Sequence, residues 1–536
     1  MNASDVPEID ETPVRDNALT AIESLPKGAR GAEVGTHLGR TARALVEIAA
    51  PRTLTLIDPW REDEGQDARP FAYTAPQADR DAQYAAVTTA FPDATILRQT
   101  SVEALCAMRD ATLDWIWLDG NKQYDMILAD LEQAVRIVRP GGVIAGGGWH
   151  WGAEMGRPVR EAVGDIVARL DDAEVQQAGQ FWSLTLPETV ILRARPTDER
   201  FLIISTMKNE SPYVLEWIAH HRAIGFTDFL IFTNDCDDTT DPILDRLEET
   251  GAAGGVLTHQ VNTVLQRGPH KSALKWARDH VLRHKASWIL IADVDEFINI
   301  RCTDGTIQGL MRVLGPETDV VSFPWKIFAN GGVEAFRDKP LTAQFHICEP
   351  VPKRGGRKMR DVKTMFRKPE AMYHFGLHRP RVKDDWQDRI VWKSPTGEDI
   401  SGRMNKGKTW TMKWDGCQDA AYMHHYPLRS MESYILKKNR GRANHINEDL
   451  GLEYWDKWNL IGGRDKSLTS GAPGFAQMLA DLRSDRKIRQ LHKKGVQWHR
   501  DQFAELMEEP RYRALWDEMK AREAASKKPR AEATDA

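Results

Sequence analysis

The chain has 536 residues, 41% hydrophobic and 28% charged, the balance of a soluble globular protein long enough for two or more domains. A formal net charge of -5 gives no global field that would select nucleic acid or an anionic membrane, and no run of roughly 18 apolar residues marks a transmembrane span. Five scattered cysteines (Cys106, Cys236, Cys302, Cys348, Cys417) make no CxxC pair, which speaks against structural zinc and a disulfide framework and fits a reducing, cytoplasmic setting.

Residues 1–20 are polar and acidic, lack the apolar core of a signal peptide and are expected to be flexible. Between 21 and 195, short apolar runs at 31–34, 53–57, 115–118 and 143–145 alternate with helical stretches such as 41–50 and 124–138, the pattern of βαβ units on a parallel sheet. The polar, proline-containing segment 193–200 reads as a linker. A second α/β pattern follows, with strands at 201–206, 229–234, 256–261 and 288–292 and helices at 214–224, 242–249 and 271–282. From 319 to 367 the expected strands become shorter and more irregular. Beyond about 430 the sequence turns helical and highly charged, giving a helical extension over 446–520. The tail 521–536 has no apolar residue larger than Ala and is expected to be disordered.

The strongest chemical signal is the apolar run 288–292 ending in Asp293-Val294-Asp295-Glu296-Phe297. A continuous apolar run is how a central strand covered on both faces reads. Side chains two apart on an extended strand point the same way, so Asp293 and Asp295 are expected to converge while Val294 faces the core. In open α/β sheets ligands sit outside the carboxyl ends of the strands. Two hard carboxylates placed there suit Mg²⁺ or Mn²⁺ bridging a diphosphate, where the ion neutralises charge on a leaving group. Taken alone, Asp-x-Asp is more often a solvated loop or a helix cap; the strand before it is what raises the metal reading.

Further pieces surround this motif: 203–210 (IISTMKNE), 215–221 (LEWIAHH), Gly225-Phe226, 231–240 (IFTNDCDDTT), and His425-Tyr426 followed by Arg429-Ser430. With 292–297 (ADVDEF) they make the segment from about 201 to 445 resemble glycosyltransferases of the GT-A fold, in the family-2-like group related to family 92. The resemblance implies a nucleotide-sugar donor, with Asn209, Glu210 and Asp235 or Asp237 near the nucleotide and Asp293 against its diphosphate. It implies metal ligation by Asp293 and Asp295, with His425 as third ligand. His424 and His425 are adjacent and on extended backbone point to opposite faces, so only one faces the metal. Asp238 reads equally as the cap of the helix before Pro242. Lys363, on an expected strand over 362–367, and His378 are the catalytic candidates. The resemblance puts the latter's segment near the acceptor or pyrophosphate, where a basic group would stabilise the leaving phosphate. His374 and His378 stand four apart, but Gly376 and Pro380 oppose a helix, so a zinc pair is not expected. Lys271 opens a helix and reads either as a phosphate contact or as a solvated helix start.

The N-terminal half carries 32–36 (AEVGT), Ile57-Asp58, Leu118-Asp119-Gly120 with Tyr124, Asp130-Leu131, and 139–144 (RPGGVI). Over residues 25 to about 170 these resemble class I S-adenosylmethionine-dependent methyltransferases, nearest the small O-methyltransferases of the catechol type. The resemblance implies that Glu33, Gly35 and Asp58 contact S-adenosyl-L-methionine and places Asp119 at the same site. One departure stands out. Where metal-dependent relatives carry acidic or amide residues, 145–150 reads AGGGWH, and Lys122 replaces an expected histidine. One carboxylate alone holds Mg²⁺ poorly. Three readings follow: metal-free methylation with His150 as base, cofactor binding without turnover, or a scaffold.

The expected architecture is α/β: a Rossmann-like methyltransferase fold over 21–195, a GT-A nucleotide-sugar-binding fold over 201–445, and the helical extension. The expected function is metal-dependent transfer of a sugar from a nucleotide-sugar donor to a glycan or glycoconjugate acceptor, as in polysaccharide biosynthesis, with a second methyltransferase activity. Mn²⁺ or Mg²⁺ and S-adenosyl-L-methionine are the implied cofactors. Peripheral membrane association is compatible with this. The rival readings are a methyltransferase with a glycan-binding C-terminal module, and a non-catalytic scaffold in polysaccharide assembly.

Overall fold

The computed structural model describes residues 16–61, 76–194, 199–266, 268–350, 359–407, 409–414, 416–441 and 451–526. The chain divides into two compact units, Met1–Thr197 with Asp279–His284, and Asp198–Arg278 with Lys285–Ala536. No helix among the described residues is long and apolar enough to cross a membrane.

In the first unit, strands β1 (Arg30–Val34), β2 (Thr53–Ile57), β3 (Thr95–Leu97), β4 (Leu113–Leu118), β5 (Val138–Gly146), β6 (Glu174–Ala178) and β7 (Phe181–Thr185) stand in the order β3-β2-β1-β4-β5-β7-β6. The first five are parallel, and β7 runs antiparallel to both β5 and β6. Helices α1 (Asp16–Glu23), α2 (Arg40–Ala44), α3 (Gln77–Ala90), α4 (Ser101–Ala107), α5 (Tyr124–Ile137) and α6 (Pro158–Val167) supply the two covering layers. Strand β4 shows why. It is buried along its whole length, and its period of two sends alternate residues into different cores. Trp115 and Trp117 pack with Ile22, Leu45 and Val87, whereas Ile116 and Leu118 pack with Leu105, Leu131 and Val163.

The second unit holds β8 (Phe201–Met207), β9 (Asp228–Thr233), β10 (Val256–Val261), β11 (Trp288–Ile291), β12 (Glu296–Ile300), β13 (Val320–Ile327), β14 (Ile347–Cys348), β15 (Met359–Phe366), β16 (Met372–His374), β17 (Arg381–Val382), β18 (Trp392–Lys393), β19 (Thr411–Lys413), β20 (Ala421–His425) and β21 (Gly463–Arg464). Its helices, together with two that span the division (α9 and α10), are α7 (Val214–Ala223), α8 (Thr240–Thr250), α9 (Pro269–Asp279), α10 (Val281–Lys285), α11 (Ile307–Leu314), α12 (Leu341–Gln344), α13 (Ser401–Met404), α14 (Cys417–Ala420), α15 (Met431–Arg440), α16 (Leu452–Trp458), α17 (Phe475–Leu482), α18 (Arg486–Leu506) and α19 (Pro510–Ser526). A ten-stranded sheet runs β10-β9-β8-β11-β15-β13-β20-β12, with β18 on β13 and β19 on β15. The part from β10 to β11 is parallel, and antiparallel pairing starts where β15 joins β11. Helix α7 is buried from Val214 to His221, so it has no solvent face to make it amphipathic. Its Glu216 carboxylate instead accepts from the amides of Leu341 (2.7 Å) and Thr342 (3.2 Å), satisfying donors at the start of α12.

Helices α15, α16, α18 and α19 share a core of Tyr434, Trp455, Leu506 and Met519. Asp485 caps α18 through the Ile488 amide (2.9 Å) and also takes Arg246 of α8 (2.8 Å).

Three expectations change. The strands in 319–367 are not uniformly short: β13 and β15 each have eight residues and lie in the middle of the sheet, while β14 between them has two. Asp293 and Asp295 do not sit on an extended strand. They form a turn, closed by the Glu296 amide on the Asp293 carbonyl (3.0 Å), that carries the chain from β11 to β12. Residues 16–20 and 521–526, expected to be flexible or disordered, are helical in α1 and α19. In α19 the Glu523 carboxylate accepts from Asn459 Nδ2 (2.7 Å), which ties that end down. Residues 1–15, 195–198 of the linker and 527–536 lie outside the described residues.

Replacing the fully buried Trp117 with Ala should cost about 3–5 kcal/mol, seen as a lower urea midpoint for the N-terminal unit at unchanged slope.

Candidate active site

The Asp293–Asp295 turn is held by a buried charge network. Lys363, projecting from β15, places its ammonium 3.1 Å from Asp293 Oδ2 and 3.1 Å from Glu296 Oε2. Glu296 Oε2 also accepts from the Asp293 amide at 2.8 Å. Burial opposes the charge on Lys363, but the Asp293 and Glu296 carboxylates outweigh it and raise its pKa further above the usual lysine value. Lys363 is therefore a fixed cation, not a base. Burial pushes the Glu296 carboxyl up to about 8 in spite of Lys363.

Asp295 faces the other way. Its Oδ2 meets Lys437 of α15 at 3.1 Å, and its Oδ1 lies 3.9 Å from His425 Nε2 at the end of β20. Burial works against its ionisation, yet Lys437, His425 and Arg429 hold its pKa well below the usual carboxylate range. Burial pushes the His425 imidazole down to about 4, so it is neutral, and its Nδ1 is a buried atom with no hydrogen-bond partner among the described residues. His424 points to the opposite face of β20, into a network with Asn299 and Tyr426. Asp295, His425 and Lys437 thus form one group, and Asp293, Glu296 and Lys363 the other. Among the described residues, no cluster of three or more His, Cys, Asp or Glu side chains stands ready to hold a metal ion.

His378 lies beside this network, its ring 5.1 Å from Trp325. Its Nδ1 is 3.1 Å from the Val362 carbonyl, which can only accept, so Nδ1 carries the proton and Nε2 presents a lone pair. Burial, then Lys363, lowers its pKa to about 4. It thus offers an acceptor rather than the basic donor expected at the phosphate.

The donor candidates separate into different roles. Asn209, in left-handed backbone (φ 51°), accepts from the Asp237 amide at 2.8 Å and so brackets the loop after β9. Asp235 and Asp237 are exposed on that loop. Glu210 is buried and takes Arg429 (2.7 Å) and Arg440, so it anchors two guanidiniums and is not open to a nucleotide. Lys271 is exposed on the first turn of α9. Its neighbour His270 is the residue that faces inward: Nδ1 lies 2.9 Å from Thr206 Oγ1, and burial followed by the fields of Asp293, Lys363 and His378 sets its pKa near 4. Sequence reasoning missed His270, Glu296, Lys437 and Arg440. Glu296 stood next to the motif, and Lys437 and Arg440 lie three apart on the helix that follows His425, a usable but weak signal.

In the first unit, Glu33, next to last in β1, has both carboxyl oxygens buried, with the Thr36 hydroxyl as its neighbouring polar group. Burial raises its pKa to about 8. Gly35 has φ 87°, and a Cβ there would stand 2.6 Å from the Asp119 backbone, so glycine permits the turn after β1 to touch the end of β4. Asp58 accepts from the His37 amide (3.0 Å) and the Trp60 amide (2.9 Å), tying together the turns after β1 and β2. Asp119 is paired with Lys122 at 2.7 Å. The lysine replacing the expected histidine thus supplies the positive charge that a cation would bring. His150 is exposed, with Nε2 3.5 Å from Gln177 Nε2.

Residues 204–430 match the family model for glycosyltransferase family 92, and residues 32–147 match that for a methyltransferase domain. No curated protein matches the chain. Among solved structures, one from Corynebacterium glutamicum is 13% identical, covering 32% of this chain and 78% of its own, with a TM-score of 0.25. An O-methyltransferase family protein from Burkholderia thailandensis is 12% identical, covering 32% of this chain and 55% of its own, with a TM-score of 0.23.

The Glu33 pKa, raised from about 4.5 to about 8, means that the unfolded chain releases a proton the native protein retains. Stability should therefore fall as pH rises from about 5 to about 8 and level off above. Glu33→Gln removes this contribution. Its melting temperature relative to wild type should climb across that window, and a constant difference would contradict the assignment.

Proposed function

We propose that this transferase, a glycosyltransferase family 92 domain joined to a methyltransferase domain, moves a sugar in the GT-A manner from a nucleotide-sugar donor to a glycan or glycoconjugate acceptor with the help of Mn²⁺ or Mg²⁺. The observation that carries the reading is the pairing of Asp295 and His425 across 3.9 Å, with a neutral imidazole and a carboxylate held ionised. That pair fits a hard or borderline divalent cation. Asp293, the third ligand, is engaged by Lys363 and would leave it to reach the ion. Glu296 gives Lys363 a second hydrogen-bonding carboxyl, so the ammonium keeps a partner when Asp293 turns away. The bound ion would supply positive charge opposite the donor diphosphate.

The remaining roles fall to the chain's own groups. Lys363, permanently charged and buried, stabilises negative charge building on the leaving phosphate. His378 presents an unprotonated Nε2 at the same site, suited to accept a hydrogen bond from the acceptor hydroxyl. Asn209 orders the loop bearing Asp235 and Asp237, which face the nucleoside. In the first unit, S-adenosyl-L-methionine would bind where Glu33, the tight turn at Gly35 and Asp58 come together at the ends of β1 and β2. The Asp119–Lys122 pair favours methyl transfer without a metal there.

Purified full-length protein should hydrolyse one member of a nucleoside-diphosphate-sugar panel in Mn²⁺ and lose that activity in chelator. Asp295→Ala and Lys363→Met should each lower kcat/KM by about a hundredfold or more. A rate indifferent to chelator would remove the metal from the proposal, and inactivity across the panel would remove the donor.

A further inference from the structure

A cavity of about 160 Å³ opens beside Asp295 in the second unit, lined from two parts of the chain. Asn209, Tyr213 and Asp237 belong to the segment matched by the glycosyltransferase family; Lys437, Arg440, Trp498 and Gln502 lie beyond residue 430, outside it. Resting on the donor reading above, we infer that the C-terminal helices are part of the donor site: Trp498 takes the face of the nucleobase, Gln502 reads its edge, and Lys437 and Arg440 meet the diphosphate.

Three observations carry this. The first is charge. Lys208, Arg429, Lys437 and Arg440 line the cavity, while the carboxylates set against them are Glu210, Asp237 and Asp295, so positive charge is in excess. An anion is the ligand such a wall accepts. The second is shape. Trp498 and Gln502 are one helical turn apart and share a face of α18 that borders the cavity, with the Trp498 indole partly exposed. Every base has a π-face, so an indole suits it without demanding one identity. The third is rigidity. His499 Nε2 lies 3.0 Å from Asp238 Oδ2, and Asp238 also takes the Ser211 amide and hydroxyl at 3.0 and 2.6 Å. Thr239 Oγ1 donates to the Leu491 carbonyl at 2.8 Å. A Cβ at Gly495 would stand 2.2 Å from Ser211 Oγ, so the glycine lets α18 sit directly on the loops that carry Asn209 and Asp237. Helix α18 is built onto the cleft at defined height, which a merely solvating extension does not require.

The test is calorimetric titration of the full-length chain with UDP, GDP, CDP and ADP, each with Mn²⁺, and separately with inorganic pyrophosphate. Trp498→Ala should weaken the nucleoside diphosphate that wild type binds by about tenfold or more, leave pyrophosphate unchanged, and be largely rescued by Trp498→Phe. Gln502→Ala should alter the preference among the four bases. If wild type binds a nucleotide and both alanine variants stay within about twofold of it, this inference is overturned while the donor reading stands. If wild type binds none of the four, the donor reading itself fails and takes this one with it. Equal loss of pyrophosphate and nucleotide binding in Trp498→Ala, without rescue by Phe, would show a structural role for the indole and also overturn the inference.

Discussion

The buried ammonium of Lys363 is the constraint on which the second unit's site depends. A lysine 1% exposed is tolerable only with a counter-charge and hydrogen-bond partners, and these, the Asp293 carboxylate and the Glu296 carboxyl, come from the turn after β11 and the first residue of β12. Such pairs add little net stability, because desolvation consumes most of the Coulomb gain. What they fix is geometry. The turn joins β11, which pairs with β8, to β12, which pairs with β20, and so spans several strands of the sheet. Lys363 on β15 anchors it from a strand hydrogen-bonded to β11. Removing that one cation would leave two carboxylates facing each other in a low-dielectric interior.

Much of this was legible in the sequence, for definite reasons. The run 288–292 is apolar because β11 is covered on both faces, and β4 reads the same way in the first unit. The full length of β13 and β15 was not anticipated, although a strand over 362–367 was, because they carry Ser322, Lys326, Arg360 and Lys363 inside a buried sheet. Each of these polar groups has a tertiary partner, such as Asp465 for Lys326 or Glu349 for Arg360, and no periodicity argument anticipates it. The motif residues and two of their partners, Lys363 and His425, were found by type and spacing, but Lys437 and Arg440, which reach the site from α15, were not. Glu210 shows the converse. It lies at the expected place, yet local packing spends its carboxylate on two arginines.

The fold of the first unit was read from its alternating strands and helices, and its topology alone brings the ends of β1, β2 and β4, where the candidate residues lie, side by side. The change came in Asp58. Both of its oxygens hold backbone amides, so it shapes the turns that form the pocket before it can touch any ligand.

Each unit sets a lysine against an aspartate at the end of a central strand, and the two pairs differ in what they allow. Lys122 stands three residues from Asp119 on the same loop, and the neighbouring positions Gly146, Gly147 and Gly148 offer no second side chain. A cation displacing Lys122 would gain one carboxylate and strand an ammonium. Lys363 comes from a separate strand and has Glu296 as well as Asp293, while Asp295 and His425 stand on the far side of the turn. The two lysine–aspartate pairs therefore differ in their surroundings: Lys122 has Asp119 as its partner, whereas Lys363 has Glu296 as well as Asp293.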